Sequence, residues 1–432
     1  MSSLNKREGI LTARMISEGI LKSVKNIFFD IFIGNDSALY SWGSLARREM
    51  CTFSDIDIII LHKGGHVRTT KVKRFIEEVS LRFPGNKIDL LQEFNELELI
   101  KIAKIDGNDR QALTMARLES KKNILSDRFK NTIITNFDSK IEKIRELLYI
   151  MVNLKKVYPV LFSQNDLKFG EYCLRYLNYT VLYVKYIIDE ENDLYNTETA
   201  LGALLKKSVI SNDLYRKSLN ALDYFLFHRN QIQIKKNLEF NVLENYSSCI
   251  EAESSLSGKK PSGFGLEKHK QSVKLLMDIL FSKTIRLAEE ELGEKTCTII
   301  GQLLENHDRE VETSALKLNS EIVTMILSYC TRDQSMIDYL YEKNKFNWYI
   351  VFGIANNPHS APATLYKLIN PENKSKKIKL LYNDFAWRNI YLYVARNPSA
   401  DKETLDFIIK RKSCRRMDID AAKSNLLKKL IV

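Results

Sequence analysis

The sequence predicts an α+β protein that is predominantly helical, built from a small mixed-sheet domain, a helical-bundle domain and C-terminal α-helical repeats. Its 432 residues are too many for one ordinary hydrophobic core and enough for two or three domains. Hydrophobic residues make up 44% of the chain, and only seven prolines and sixteen glycines interrupt it, which favours helices. Helical periodicity also dominates the chain beyond residue 110.

The mixed sheet is predicted within residues 1–110. The segment "GILTARMISEGILKSVKNIFFDIF" has the periodicity of a long helix, and "SALYSWGS" and "DIDIIIL" have the composition of strands. A second helix, "TTKVKRFIEEVSLRF", leads through a "PGN" turn to a third strand, "KIDLLQ". This order of strand, strand, helix and strand predicts a small mixed sheet.

The rest of the chain is predicted to be helical. Residues 111–293 form the helical-bundle domain, and "SSLSGKKPSGFG" is its exposed loop. Within residues 294–432, "GIANNPHSAPATLYKLI" and "YVARNPSADKETLDFII" align at a spacing of forty, so that Asn357-Pro358 matches Asn397-Pro398. A fixed period of this size predicts stacked helical repeats with a continuous core. The units resemble leucine-rich-variant or HEAT-like repeats.

Composition and charge narrow the functional classes. The six cysteines include no CxxC pair, which predicts reduced thiols rather than disulfides or a zinc site. No apolar run approaches the ~18 residues of a membrane span, so we expect a cytoplasmic protein, or one delivered into a host cytoplasm without a Sec signal peptide. Residues 366–432 hold 16 Lys and Arg against 7 Asp and Glu, which is +9 of the net charge of +12. Such a basic end attracts phosphates or an acidic protein. A solvated helix face is an equally good explanation of this charge.

The stretch "SWGSLARREMCTFSDIDIIIL" places two aspartates at the start of an apolar strand. Because side chains alternate along a strand, Asp55 and Asp57 project from one face, about 6.5–7 Å apart at their backbones. A pair of carboxylates in this arrangement can hold two divalent ions for phosphoryl transfer, and Mg²⁺, with Mn²⁺ as an alternative, suits such oxygen ligands. Asp89 in "KIDLLQ" is the candidate third carboxylate, provided that its strand lies beside the first pair.

The residues before this strand suit a phosphate. Gly43 lets the backbone approach a phosphate closely, and the Ser44 hydroxyl can donate to a phosphate oxygen. Arg47 and Arg48 can neutralise phosphate charge.

The stretch resembles the nucleotidyltransferase signature of the DNA polymerase β-like superfamily, and within it the PII-protein uridylyltransferase group. The matched positions are Gly43, Ser44, Arg47, Glu49, Ser54, Asp55 and Asp57. The resemblance implies that residues 1–110 are a nucleotidyltransferase domain that uses Mg²⁺, with Asp55, Asp57 and Asp89 as catalytic metal ligands. It also implies that Gly43, Ser44, Arg47 and Ser54 bind an NTP substrate.

The resemblance continues through residues 111–293. The segment "NDLKFGEYCLRYLNYTVLY" is similar to the family's "LKxGxGGLRD" segment, and "FLFHRNQIQI" to its "VRNxLH" helix. It implies that Lys168, Arg175 and Arg229 hold the triphosphate or substrate, although helix surface and interhelical salt bridging are the alternatives. The chain departs from the family at Tyr172, Cys173, Tyr176 and Gln233. The family's hydrolase domain is not expected, since the six histidines are dispersed.

The sequence therefore predicts an enzyme that moves an NMP, UMP or AMP, from an NTP to an acceptor. A protein acceptor is favoured by the family likeness, with the repeats as the surface that selects it. An RNA 3′ end, as for a toxin that modifies tRNA, is the first alternative and is favoured by the basic C-terminus. A non-catalytic repeat scaffold with a decayed transferase domain is the second.

Overall fold

The computed structural model shows a predominantly helical protein with one small sheet, as the sequence predicts. It describes residues 7–32, 37–62, 67–94, 113–137, 139–162, 164, 166–188, 196–236, 264–305, 308–345, 347–370, 384–411, 414 and 416–431. The chain divides into two units. The first comprises Met1–Lys104, Asn108–Lys143 and Phe162–Lys283, and the second Ile105–Gly107, Ile144–Leu161 and Thr284–Val432.

The sheet of the first unit has four strands in the order β3-β2-β1-β4. Strand β1 pairs antiparallel with β2 and with β4, whereas β2 and β3 are parallel. A helix joins the parallel strands, because parallel neighbours need a crossover connection. The elements in chain order are α1 (Glu8–Ile31), β1 (Ser37–Ser41), α2 (Gly43–Arg47), β2 (Ile56–His62), α3 (Val67–Arg82), β3 (Ile88–Phe94) and β4 (Arg117–Leu118).

Strand β2 is buried on the sheet face that helices α1 and α3 cover. Ile56, Ile58 and Ile60 are fully buried and belong to one core cluster with Phe28 of α1 and Phe75 of α3. Because alternate residues of a strand point to opposite faces, the side chain at position 57 lies on the other face.

Further helices follow β4 in the chain, and those within residues 108–143 and 162–283 belong to the first unit. They are α4 (Ile124–Phe137), α5 (Lys140–Val152) with a π-helical turn (Asn153–Val157), α6 (Tyr158–Leu161), α7 (Leu174–Tyr183) with a second π-helical turn (Val184–Ile188), α8 (Thr197–Lys206), α9 (Asn212–Lys236) and α10 (Phe264–Leu292). Helix α4 packs Phe129 against Tyr40 of β1, with ring centroids 4.6 Å apart. Helix α9 contacts α1 so closely at Gly9 that a Cβ there would overlap the Asp223 carbonyl oxygen.

The contact between α1 and α9 explains why the first two predicted domains form one unit. The Asp223 carboxylate of α9 accepts the Ile10 N–H at 2.9 Å and so satisfies a free donor at the start of α1. Residues 144–161, predicted to lie in the helical-bundle domain, belong instead to the second unit. There Tyr149 packs edge-on against Tyr329 and Tyr349, and the Glu146 carboxylate accepts the Tyr349 hydroxyl at 2.5 Å.

The second unit contains the predicted repeats as pairs of short helices. Its elements are α11 (Glu294–Glu305), α12 (Arg309–Lys317), α13 (Glu321–Cys330), α14 (Gln334–Lys343), α15 (Trp348–Asn356), α16 (Pro362–Ile369), α17 (Asp384–Arg396), α18 (Lys402–Lys410) and α19 (Arg416–Ile431). Pairs α15–α16 and α17–α18 are the two segments related by the spacing of forty. None of the helices in the described part of the chain is both long and apolar enough to cross a membrane.

A ladder of buried asparagines joins successive repeats. The Asn357 side-chain amide donates to the carbonyls of Ser328 and Thr331, at 3.1 and 2.8 Å. The Asn397 amide donates in the same way to the carbonyls of Ala355 and Asn357, both at 2.9 Å. Each amide thus satisfies carbonyls at the end of the preceding helix, which have no partner within that helix. Asn425 of α19 donates to the carbonyls of Ala395 and Asn397, although it follows no Asn-Pro pattern.

Candidate functional site

Asp55 and Asp57 lie at the start of β2, where the strand emerges from the core. Both residues are partly exposed, whereas Ile56 between them is fully buried. Apolar burial of Ile56 and Ile58 therefore fixes the register of the strand and directs the two aspartates away from the core.

Gly43 lies directly against the Asp57 carboxylate. The Trp42 N–H donates to the Asp57 carbonyl at 3.1 Å, and the next residue, Gly43, has a φ of +59°. A Cβ at position 43 would overlap Asp57 Oδ2 and lie 3.1 Å from its Cγ. Glycine is thus required here both for its backbone conformation and for the close approach of the carboxylate. Ser44, which follows it in the first turn of α2, is partly exposed, and its carbonyl accepts the Glu49 N–H at 2.9 Å.

Strand β3 lies beside β2, as the predicted role of Asp89 requires. It is parallel to β2, and the register pairs Asp57 with Asp89. The two backbones therefore lie about 4.8 Å apart, the spacing of neighbouring strands. The side chain of Asp89 is outside those that the structure describes, so its role as third carboxylate stays a prediction. Within the described side chains, no group of three His, Cys, Asp or Glu residues is arranged to hold a metal ion.

The arginines of the opening stretch contact other acids. The Arg47 guanidinium pairs with Glu49 at 2.9 Å and donates to Asn178 of α7 at 3.0 Å. The Arg48 guanidinium pairs with the buried Glu119 at 2.9 Å. Arg47 thus ties α2 to α7, and its predicted contact with a phosphate stays a prediction.

Glu119 is part of a buried cluster that sequence patterns did not indicate. Its carboxylate also accepts the Ser41 hydroxyl at 2.6 Å and lies 3.9 Å from Arg117 of β4. Burial, and then the charge of Arg48, lower the pKa of Arg117, while Glu119 opposes that shift. No local sequence pattern indicates Glu119, because its partners Ser41 and Arg48 are about 70 to 80 residues away in the sequence.

The turn before Asp55 is held by side chains from distant parts of the chain. The Asn230 Oδ1 atom of α9 accepts both the Thr52 N–H at 3.0 Å and the Thr52 hydroxyl at 2.7 Å. The Gln233 Oε1 atom accepts the Phe53 N–H at 2.9 Å. The Asn86 Nδ2 group donates to the carbonyls of Thr52 and Ser54, at 2.8 and 2.9 Å.

The Ser54 side chain makes a hydrogen bond within this turn. It is 1% exposed, and its Oγ accepts the Cys51 N–H at 2.9 Å. Its predicted contact with a nucleotide stays a prediction, and the contact that we observe shapes the turn. Arg229 of α9 is 3% exposed, and its predicted contact with the triphosphate or substrate stays a prediction.

Lys168 and Arg175 are joined by a short loop that precedes α7. The Arg175 N–H donates to the Lys168 carbonyl at 2.9 Å. The buried Asp166 carboxylate accepts the N–H groups of Lys168 and Phe169, at 2.8 and 2.9 Å. Burial raises the pKa of Asp166, and these two hydrogen bonds and the charges of Lys168 and Arg229 oppose the shift. The structure thus brings the two predicted basic residues together, within the unit that holds Asp55 and Asp57.

The backbone of this loop is left-handed at one of the positions where the chain departs from the motif to which it was compared. Tyr172 has a φ of +57°, a left-handed conformation that side chains other than glycine rarely adopt. Tyr172 stands in the Gly-Gly position of the uridylyltransferase pattern. Burial, together with the charges of Glu171 and Asp278, raises the pKa of the Tyr172 hydroxyl to about 12, so it is protonated at neutral pH.

In comparisons with known proteins, no family model matches the chain and no curated protein matches it significantly. The resemblance to nucleotidyltransferases therefore depends on the motifs and on the geometry described above.

Proposed function

We propose that the protein is a Mg²⁺-dependent nucleotidyltransferase that moves an NMP, UMP or AMP, from an NTP to a protein acceptor and releases pyrophosphate. The observation that carries this proposal is the contact between Gly43 and the Asp57 carboxylate. It joins the glycine-serine turn to the acidic strand, at the position where the register brings in Asp89. A turn suited to phosphate beside two or three carboxylates is the arrangement that metal-assisted phosphoryl transfer needs.

The residues fit a divalent cation because they are oxygen donors on one side of a rigid strand. Asp55 and Asp57, with Asp89, would hold Mg²⁺. When bound, Mg²⁺ would neutralise the charge of the triphosphate and polarise its α-phosphoryl group. Gly43 and Ser44 would bind the triphosphate through backbone and hydroxyl groups, and Lys168 and Arg175 would offset its remaining charge.

The transfer is a displacement at the α-phosphorus. The acceptor hydroxyl oxygen forms a bond to the α-phosphorus, and the bond from that phosphorus to the bridging oxygen of pyrophosphate breaks. The proton of the acceptor hydroxyl passes to Asp89 or to water, and pyrophosphate leaves. Asp55 and Asp57 would act as ligands throughout and take no part in this proton transfer.

A protein acceptor is favoured over RNA by the likeness of the motifs to the uridylyltransferase group and by the helical repeats of the second unit. Stacked repeats present extended surfaces of the kind that bind other proteins. The basic excess of residues 366–432, 16 Lys and Arg against 7 Asp and Glu, is the observation that favours the RNA alternative.

Labelling tests the proposal directly. The protein is incubated with each α-³²P-labelled NTP, Mg²⁺ or Mn²⁺ and a cell lysate, and label is followed in protein and in RNA. We expect protein labelling by the wild type that Asp55→Asn and Asp57→Asn both abolish. Asp213→Asn, at an exposed position of α9, is the matched control and should label normally. Label on RNA would support the RNA-modifying alternative, and no label with any nucleotide would support the scaffold.

A further inference from the structure

The segment Cys51–Ser54 has no regular secondary structure, yet it positions Asp55. Its backbone groups are nevertheless taken up by defined partners. The N–H groups of Thr52 and Phe53 donate to Asn230 and Gln233, and the Thr52 and Ser54 carbonyls accept from Asn86. Two further bonds, from Cys51 N–H to Ser54 Oγ and from Ser54 N–H to the Cys51 carbonyl, close the turn on itself. A segment held in this way has few alternative conformations.

Asn86 links this turn to the strand of the candidate third carboxylate. It lies in the turn after α3, two residues before β3 begins, and the adjacent Lys87 carbonyl accepts the Ile56 N–H at 2.8 Å. The Phe53 ring also covers this turn so closely that a Cβ at Gly85 would overlap it. Asn86 therefore sets the position of the residue before Asp55 relative to the start of the strand that carries Asp89.

Asn230, which follows the Cys51–Ser54 turn far along the sequence, also holds this turn through hydrogen bonds. It is 6% exposed and lies 178 residues from Thr52, on a helix that also carries Gln233. One acceptor atom, Oδ1, binds both donors of Thr52, so a carboxylate at this position can still accept from them. At Asn86 the donor group is needed, and a carboxylate there would face two carbonyl oxygens. The two asparagines thus differ in which half of the amide they use.

We infer that Asn86 and Asn230 are positioning residues for the metal-binding carboxylates, acting through the Cys51–Ser54 turn. The inference rests on the proposed function, because it assigns these residues to the metal site of that reaction. Carboxylates that share a metal ion must be held to within about 0.5 Å of their productive positions. Loss of the turn would therefore weaken metal binding before it unfolds the protein.

The test uses the fact that Asn86 donates hydrogen bonds to the turn, whereas Asn230 accepts them. The same substitution is made at both sites, as Asn86→Asp and Asn230→Asp, with Asn230→Leu as the variant that removes the acceptor. Binding of Mn²⁺ in the presence of a non-hydrolysable NTP analogue is titrated by electron paramagnetic resonance, and the Mg²⁺ midpoint of labelling is measured. The folded fraction at the assay temperature is checked by circular dichroism.

We expect Asn86→Asp and Asn230→Leu to raise both metal midpoints at least tenfold while remaining folded. Asn230→Asp should rescue the leucine variant to within about threefold of the wild type, since its carboxylate still accepts from Thr52. Wild-type midpoints in both Asn86→Asp and Asn230→Leu would overturn the inference and leave the proposed function intact. A wild-type protein that binds no Mn²⁺, or that binds it as well after Asp55→Asn, would overturn the proposed function and the inference with it.

Discussion

The contact between Gly43 and Asp57 makes Gly43→Ala the most informative single substitution. Two costs can be worked out separately. Alanine at a φ of +59° pays about 1–2 kcal/mol of backbone strain relative to glycine. The new Cβ would in addition overlap Asp57 Oδ2, so that the carboxylate must move by roughly 1 Å to reach ordinary contact distance.

The second cost concerns activity more than stability. A displacement of about 1 Å in a catalytic group lowers a rate by on the order of 10²-fold. We therefore expect Gly43→Ala to lose about 1–2 kcal/mol in free energy of unfolding and about 100-fold in the rate of nucleotide transfer.

Gly293 provides the control, because it has a φ of +83° and a Cβ there would meet no described atom within 4 Å. Gly293→Ala should lose a similar free energy of unfolding, about 1–2 kcal/mol, and keep its transfer rate. Urea denaturation and single-turnover labelling are measured on both variants. If Gly43→Ala transfers nucleotide at the wild-type rate, or if Gly293→Ala is equally inactive, the contact with Asp57 does not serve the reaction.

Two further predictions concern stability. Asn397→Asp keeps the acceptor for the Ser399 N–H but turns a carboxylate towards two carbonyls in a fully buried position, so we expect a loss of about 3–5 kcal/mol in free energy of unfolding. The same change at the exposed Asn319 should cost less than about 0.5 kcal/mol, and equal effects in urea denaturation would contradict the ladder. Burial, followed by the charges of Lys268 and His228, lowers the pKa of His269 to about 4, and its ring stacks on Tyr224. Its contribution to stability is present above pH 6.5 and is lost as the pH falls towards 4, because the unfolded chain then binds the proton more readily. Between pH 7 and pH 5 the wild type should lose about 1 kcal/mol more than His269→Gln, after allowance for solvent screening of a part-exposed ring. Parallel pH dependence of the two proteins in urea would contradict this.

The sequence by itself determined the local features of this protein. Apolar periodicity predicted α1, α3 and the strands around Asp57, and the spacing of forty predicted the paired helices that carry Asn357 and Asn397. These succeed because periodic burial leaves a periodic pattern in the residues themselves. The Gly-Ser turn and the two aspartates were found for a related reason, since they lie within fifteen residues of one another.

Only the tertiary structure decided what holds those residues in place. The register that places Asp89 beside Asp57 depends on which strands pair. The hydrogen bonds that hold Thr52 depend on Asn230, which is 178 residues away in the sequence. Contacts between residues that are distant in sequence also produce the Glu119 cluster, the hydrogen bonds of Asn425 and the division into two units. A hydrogen bond between distant segments requires only one donor and one acceptor, so it imposes no period and no composition on either segment. Such contacts appear only when the chain is folded.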